Sequence, residues 1–135
     1  MPRETVAIRW KGDTDFEASL PSGKTVTMSG TGPKPLEMVV ASLGGCAALT
    51  LQAFLQKMRI EVDHFDLDVE GVLAEERPSA IVGARVRIRF YGRDLKQEQI
   101  ERAMELAKKY CPVHHTLIKA GPIEYSYEIH PTNAN

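Results

Sequence analysis

The stretch from Leu36 to Leu55, LEMVVASLGGCAALTLQAFL, constrains this chain more than any other. Its one charge is Glu37, and nearly every other position is apolar or small. A segment of this kind must be shielded from water on most sides, in a bilayer or in a protein core. Its length suits a bilayer, but Glu37, Gln52 and the Gly44-Gly45 pair interrupt it, and no aromatic belt or basic flank marks its ends. The expectation is a buried helix with no membrane contact. Pro35 stands at its first turn, where proline is tolerated, and it should end near Arg59. The chain of 135 residues fits a single domain over 1–135, which has little surface with which to wrap such a helix. An intimate homodimer with this helix at its centre resolves the difficulty.

The flanking segments supply strands. Residues 5–9 and 15–20 are short and β-leaning, Thr25 to Met28 is a third candidate, and Gly12, Asp13 and Pro21-Ser22-Gly23 separate them. They predict an antiparallel N-terminal meander, closed off by the breaker Gly30 to Pro35. Beyond the helix, Phe65, Leu67 and Val69 alternate with Asp66, Asp68 and Glu70, and Val86, Ile88 and Phe90 alternate with Arg85, Arg87 and Arg89. An antiparallel register in which paired residue numbers sum to 155 sets every acid against an arginine and every apolar residue against another. The same register centres the turn on Arg77-Pro78, and a slip of one residue would spoil both faces.

Asp94 with Gln97 three residues on reads as the N-terminal capping box of a second helix. Ile100, Met104, Ala107 and Cys111 form its apolar stripe. Pro112 disfavours helical geometry at Cys111, so the helix should stop there and a third begin, running to about Ala120. Gly121-Pro122 ends it, Ile123 to Ile129 alternates as a last strand, and 131–135 is a polar tail. The order βββ-α-ββ-α-α-β defines an α+β fold.

A formal net charge of -1 with interleaved signs gives no basis for binding nucleic acid or an anionic membrane. The N-terminus lacks the apolar core of a signal peptide, so the expected compartment is the cytoplasm, where a disulfide is more often transient than structural. That draws attention to the two cysteines, Cys46 and Cys111. Cys46 follows two glycines, each of which costs a helix interior roughly 1 kcal/mol, as fits a site where substrate or another backbone comes close. Cys111, ahead of Pro112, is placed as a helix N-cap, a position that favours thiolate. Taken singly, each cysteine also reads as a small buried hydrophobe. His114 and His115 lie three and four residues beyond Cys111, but the paired ligands of a zinc site are missing, and a solvated histidine pair is the commoner fate.

With both cysteines in view, the sequence resembles the OsmC/Ohr family of thiol-dependent hydroperoxide reductases. The resemblance rests on Pro35-Leu36-Glu37-Met38-Val39-Val40-Ala41-Ser42-Leu43-Gly44-Gly45-Cys46, on Gly92-Arg93-Asp94-Leu95, and on Lys109-Tyr110-Cys111-Pro112-Val113. The L-G-G-C form resembles most closely the YhfA-like branch. The resemblance implies an OsmC-like fold of antiparallel sheets around a long central buried helix, in an intertwined homodimer. It implies Cys46 as the peroxidatic thiol and Cys111 as the resolving one, forming a disulfide that a dithiol reductant reopens. No metal, flavin or haem is implied. Family members carry a glutamate ten positions before the first cysteine that orients an arginine over the thiolate. Here that position is Leu36, so Glu37 is the implied orienting carboxylate. Arg9 is the implied cation, with Arg3 and Lys11 nearby in sequence. A non-catalytic dimeric binding module and a thiol redox sensor of the same fold stay open as alternatives.

Overall fold

A computed structural model describes residues 1–133, so the end of the expected polar tail at 131–135 lies outside the described residues. The chain folds into two compact units, Met1–Val39 and Val40–Asn135.

In the first unit, β1 (Ala7–Gly12), β2 (Asp15–Ser19) and β3 (Thr25–Ser29) form the expected antiparallel meander. Gly12 and Asp13 both take positive φ where β1 turns into β2, conformations that glycine and aspartate tolerate best.

Helix α1 (Pro35–Lys57) opens with Pro35 and spans the boundary between the units. Its end is a Schellman motif: Arg59 takes φ 57°, its N–H bonds the Gln56 carbonyl, and the Ile60 N–H bonds the Leu55 carbonyl. Ile60 and Leu55, the apolar positions of this motif, both lie in the buried core. Within the single chain the expected burial falls on one face, leaving the other for the expected partner copy. Leu43, Ala47, Leu51 and Leu55 make one buried stripe, while Leu49 is 75% exposed. Among the described residues it is the one helix long and apolar enough to cross a membrane, and its buried stripe belongs to the core.

In the second unit, β4 (His64–Leu73) and β5 (Ile81–Gly92) pair antiparallel in the anticipated register, from His64 opposite Tyr91 to Val72 opposite Gly83. Arg85 bridges Glu70 and Glu124, each at 3.3 Å. Asp68 differs from expectation. It pairs diagonally with Arg89 at 2.7 Å, a reach that long side chains have across strands, and Arg89 also holds Asp66 at 2.6 Å.

Strand β6 (Ile123–Pro131) runs parallel to β5, so this sheet, ordered β4-β5-β6, is mixed rather than antiparallel. Alternation along β6 fits either direction. Helices α2 (Gln97–Tyr110) and α3 (Pro112–Leu117) supply the long crossover that a parallel pair requires. Gly121 lets the chain enter β6, because any side chain there would collide with the Val82 carbonyl.

Asp94 does not cap α2. It takes φ 54°, Lys96 is the N-cap without a side-chain bond, and the Gln97 amide reaches forward to Glu101 instead of back. The tight loop after Gly92 uses Asp94 for its left-handed geometry, which places it two residues short of the cap. Ile100, Ala103, Met104 and Ala107 then pack with Val86, Ile88 and Phe90 of β5 and with Leu43, Leu51 and Leu55 of α1 in one core.

Candidate active site

Three elements of the second unit bring the two cysteines together. Cys46 sits half-buried on α1, at the edge of the Leu43–Ala47 stripe. The preceding glycines turn out to differ. A Cβ on Gly44 would come within 2.8 Å of Val69 Cγ2 on β4, whereas one on Gly45 would meet nothing within 4 Å. Gly44 therefore lets α1 settle onto the sheet, whereas Gly45 faces open space. Thr50 Oγ1 donates to the Cys46 carbonyl at 2.8 Å.

Cys111 joins α2 to α3 in extended geometry (φ −87°, ψ 109°), as the following proline demands. It caps α3: its Sγ accepts from the His114 N–H at 3.4 Å. It is also the last position of the α2 apolar stripe and is fully buried. Both expected roles of Cys111, helix cap and stripe member, hold at once.

The two sulfurs, both free thiols, stand 2.9 Å apart with Cys111 as donor and Cys46 as acceptor. Burial, and then the hydrogen bond to Cys46, push the Cys111 thiol up to about 11, against the opposing pull of the His114 and Val113 N–H groups. Cys111 thus keeps its proton at neutral pH and directs it at Cys46. A disulfide needs the sulfurs at ~2.05 Å, a closing movement of about 0.9 Å from where they stand.

The two histidines separate. His115 is exposed, and its Nε2 donates to the Lys109 carbonyl at 2.7 Å. His114 is buried, and its Nδ1 shares a 2.8 Å hydrogen bond with the Tyr125 hydroxyl on β6. Burial holds the His114 imidazole below its ordinary value, and the charges of His115 and Lys108 add to this. Burial likewise pushes the Tyr125 phenol well above its usual range, and negative charge on Cys111 or Cys46 pushes it further. The sequence reading missed Tyr125. The available signal was an inward strand position holding a hydroxyl, which needs a partner once buried.

Glu37 and Arg9 have partners of their own. Glu37 Oε2 accepts from the Lys34 N–H at 3.1 Å, capping α1 from its first turn. Arg9 on β1 pairs with Glu17 on β2 at 3.3 Å. Among the described residues no three of His, Cys, Asp and Glu gather as a metal would require. A surface cavity of about 490 Å³ lined by Arg59, Asp63, Arg93 and Asp94 contains neither cysteine.

Comparison with known proteins identifies the family and the fold. The family model described as OsmC-like protein matches residues 28–126, a span that includes both cysteines. Protein YhfA of Escherichia coli K12 is 34% identical over 127 residues, which is 90% of this chain and 95% of that relative. A hypothetical protein from Aquifex aeolicus VF5 superposes with a TM-score of 0.88 at 22% identity, covering 98% of this chain and 100% of that one. An organic hydroperoxide resistance protein OsmC from Legionella pneumophila, described as a predicted redox protein, superposes with a TM-score of 0.71 at 12% identity, covering 95% and 98%. The chain belongs to the OsmC-like protein family.

Proposed function

We propose that this protein reduces hydroperoxides, organic ones by preference, through a Cys46 sulfenate and a Cys46–Cys111 disulfide. The Cys46 thiolate attacks the O–O bond, an S–O bond forms, and the alkoxide leaves to take up a proton as alcohol. Cys111 then displaces hydroxide from the sulfenic sulfur, its proton leaves with it as water, and a dithiol reductant restores both thiols. The observation that carries this reading is the 2.9 Å approach of the sulfurs with Cys111 as donor. It supports unequal roles for the two thiols before any oxidant arrives. Hydroperoxide resistance in the Legionella protein's description, on the same fold, supports the choice of substrate.

Arg9 as the thiolate's cation and Glu37 as its orienting carboxylate complete the proposal. Arg9 would exchange Glu17 for the sulfur, and Arg9→Ala would then slow peroxide consumption at neutral pH. A homodimer built on the outer face of α1 is part of the same reading, supported by the exposure of Val39 and Leu49. The test is turnover of cumene or tert-butyl hydroperoxide against hydrogen peroxide, with dithiol supplied, for wild type and Cys46→Ser. Turnover by wild type alone, faster on the organic substrates, supports the reading. Equal consumption by both proteins rejects it.

A further inference from the structure

The role of His114 is open in the account so far, and the structure gives it one. A chain of hydrogen bonds runs from the Tyr125 hydroxyl to His114 Nδ1 at 2.8 Å, from the His114 N–H to Cys111 Sγ at 3.4 Å, and from Cys111 Sγ to Cys46 Sγ at 2.9 Å. His114 stands in the middle, its ring held by the sheet and its amide holding the sulfur. We propose that Tyr125, acting through His114, is a positioning residue for Cys111, and that this hydrogen-bonded pair governs the disulfide-closing step but not the first oxidation of Cys46. The inference rests on the two-cysteine cycle above and names the residues that time its second half.

Two features argue for it. Helix α3 has six residues, too few to hold its own orientation, so its first turn stays where tertiary contacts hold it. Tyr125 is such a contact. It sits on β6 opposite Val86 of the central strand, and its ring also lies 5.1 Å beneath the Lys108 ammonium of α2. Cys111 itself lies in the non-helical joint between α2 and α3, so its sulfur follows the α3 first turn when that turn moves.

The chemistry of closure makes such control matter. The Cys111 sulfur must line up behind the Cys46 S–O bond. The S–S bond forms as the S–O bond breaks, and the Cys111 proton leaves with the hydroxyl as water. Peroxide has already served as oxidant in the preceding step, so closure needs no further reagent. Misplacement by about 1 Å can cost a step of this kind roughly 100-fold.

The test mixes fully reduced protein with one equivalent of cumene hydroperoxide, quenches at intervals, and reads Cys46 sulfenate as its dimedone adduct and the disulfide by intact mass. A parallel series uses diamide, on which Cys46 adds to the N=N bond and Cys111 displaces the hydrazine, so closure is read without peroxide. We expect Tyr125→Phe to form sulfenate within about twofold of wild type and to close about 10- to 100-fold more slowly with either oxidant. His114→Ala should close as slowly, and the double variant no more slowly than either, because the two act as one unit. His114→Gln, whose amide can still meet the Tyr125 hydroxyl, should fall between, and it carries the test if Tyr125→Phe fails to fold. Closure at the wild-type rate, equal slowing of both steps, or additive effects of the two substitutions would overturn the proposal. If wild type ignores the hydroperoxide while Tyr125→Phe slows closure with diamide, the peroxidase reading falls and the positioning role stands.

Discussion

The two glycines before Cys46 should respond in opposite ways to one and the same substitution. Alanine at either position gains roughly 1 kcal/mol of helix propensity over glycine. At Gly45 the added methyl meets nothing within 4 Å, so Gly45→Ala keeps the whole gain. At Gly44 it would stand 2.8 Å from Val69 Cγ2, about 1 Å inside an ordinary carbon contact. Val69 cannot swing away cheaply, because its branched side chain is stiff at χ1. Overpacking of this kind costs about 1–3 kcal/mol, so Gly44→Ala should end between neutral and about 2 kcal/mol less stable than wild type. The two variants then differ by about 1–3 kcal/mol, or by several degrees in melting temperature for a chain of this size. Urea and thermal unfolding at a fixed protein concentration measure it, with concentration held constant because the stability of any self-associating chain depends on it. Val69→Ala should abolish the cost of Gly44→Ala, which ties the effect to that one contact. Equal stability of Gly44→Ala and Gly45→Ala, or a cost that survives Val69→Ala, would refute the packing of α1 on β4 described above.

Other consequences are open to direct measurement. Thiolate absorbance should rise near pH 11 as Cys111 ionises, and Cys111→Ser should lose that step. Because the fold raises this pKa above the ordinary 9.0, the stabilisation is fully present below pH 9 and fades as pH climbs through about 11. Asp68 behaves oppositely: the hydrogen bond and charge of Arg89 hold its carboxyl below the usual range. Arg89→Leu should return Asp68 toward its ordinary value by NMR titration, and the stability gap between wild type and variant should shrink as pH falls through the carboxylate range. Leu49→Asp, at a 75% exposed position on the outer side of α1, should yield monomers by analytical ultracentrifugation if that face joins two copies.

What the sequence revealed depended on how local the governing physics is. The β4–β5 register was legible because charge and apolar alternation on two strands admit one pairing, and the structure repeats it from His64–Tyr91 onward. The break at Cys111 was legible because proline dictates the geometry of the residue before it. Asp94 was misread because a capping rule sees spacing and not φ, and the loop needed a left-handed residue there. The parallel direction of β6 left no mark on its own alternation. Tyr125 and His114 were invisible as a pair, since only the α2–α3 crossover sets an inward strand residue against a helix eleven positions earlier. The difference between Gly44 and Gly45 needed the strand beneath one of them.

The central claim is that two thiols 2.9 Å apart act in sequence. The most direct measurement is intact mass with thiol counting after one equivalent of cumene hydroperoxide, on wild type, Cys46→Ser and Cys111→Ser. The account predicts that wild type loses both thiols and two hydrogens. Cys111→Ser should stop one oxygen heavier at a Cys46 sulfenate, and Cys46→Ser should keep its remaining thiol. Two free thiols in wild type after the challenge, or oxidation of Cys46→Ser at the wild-type rate, would contradict it.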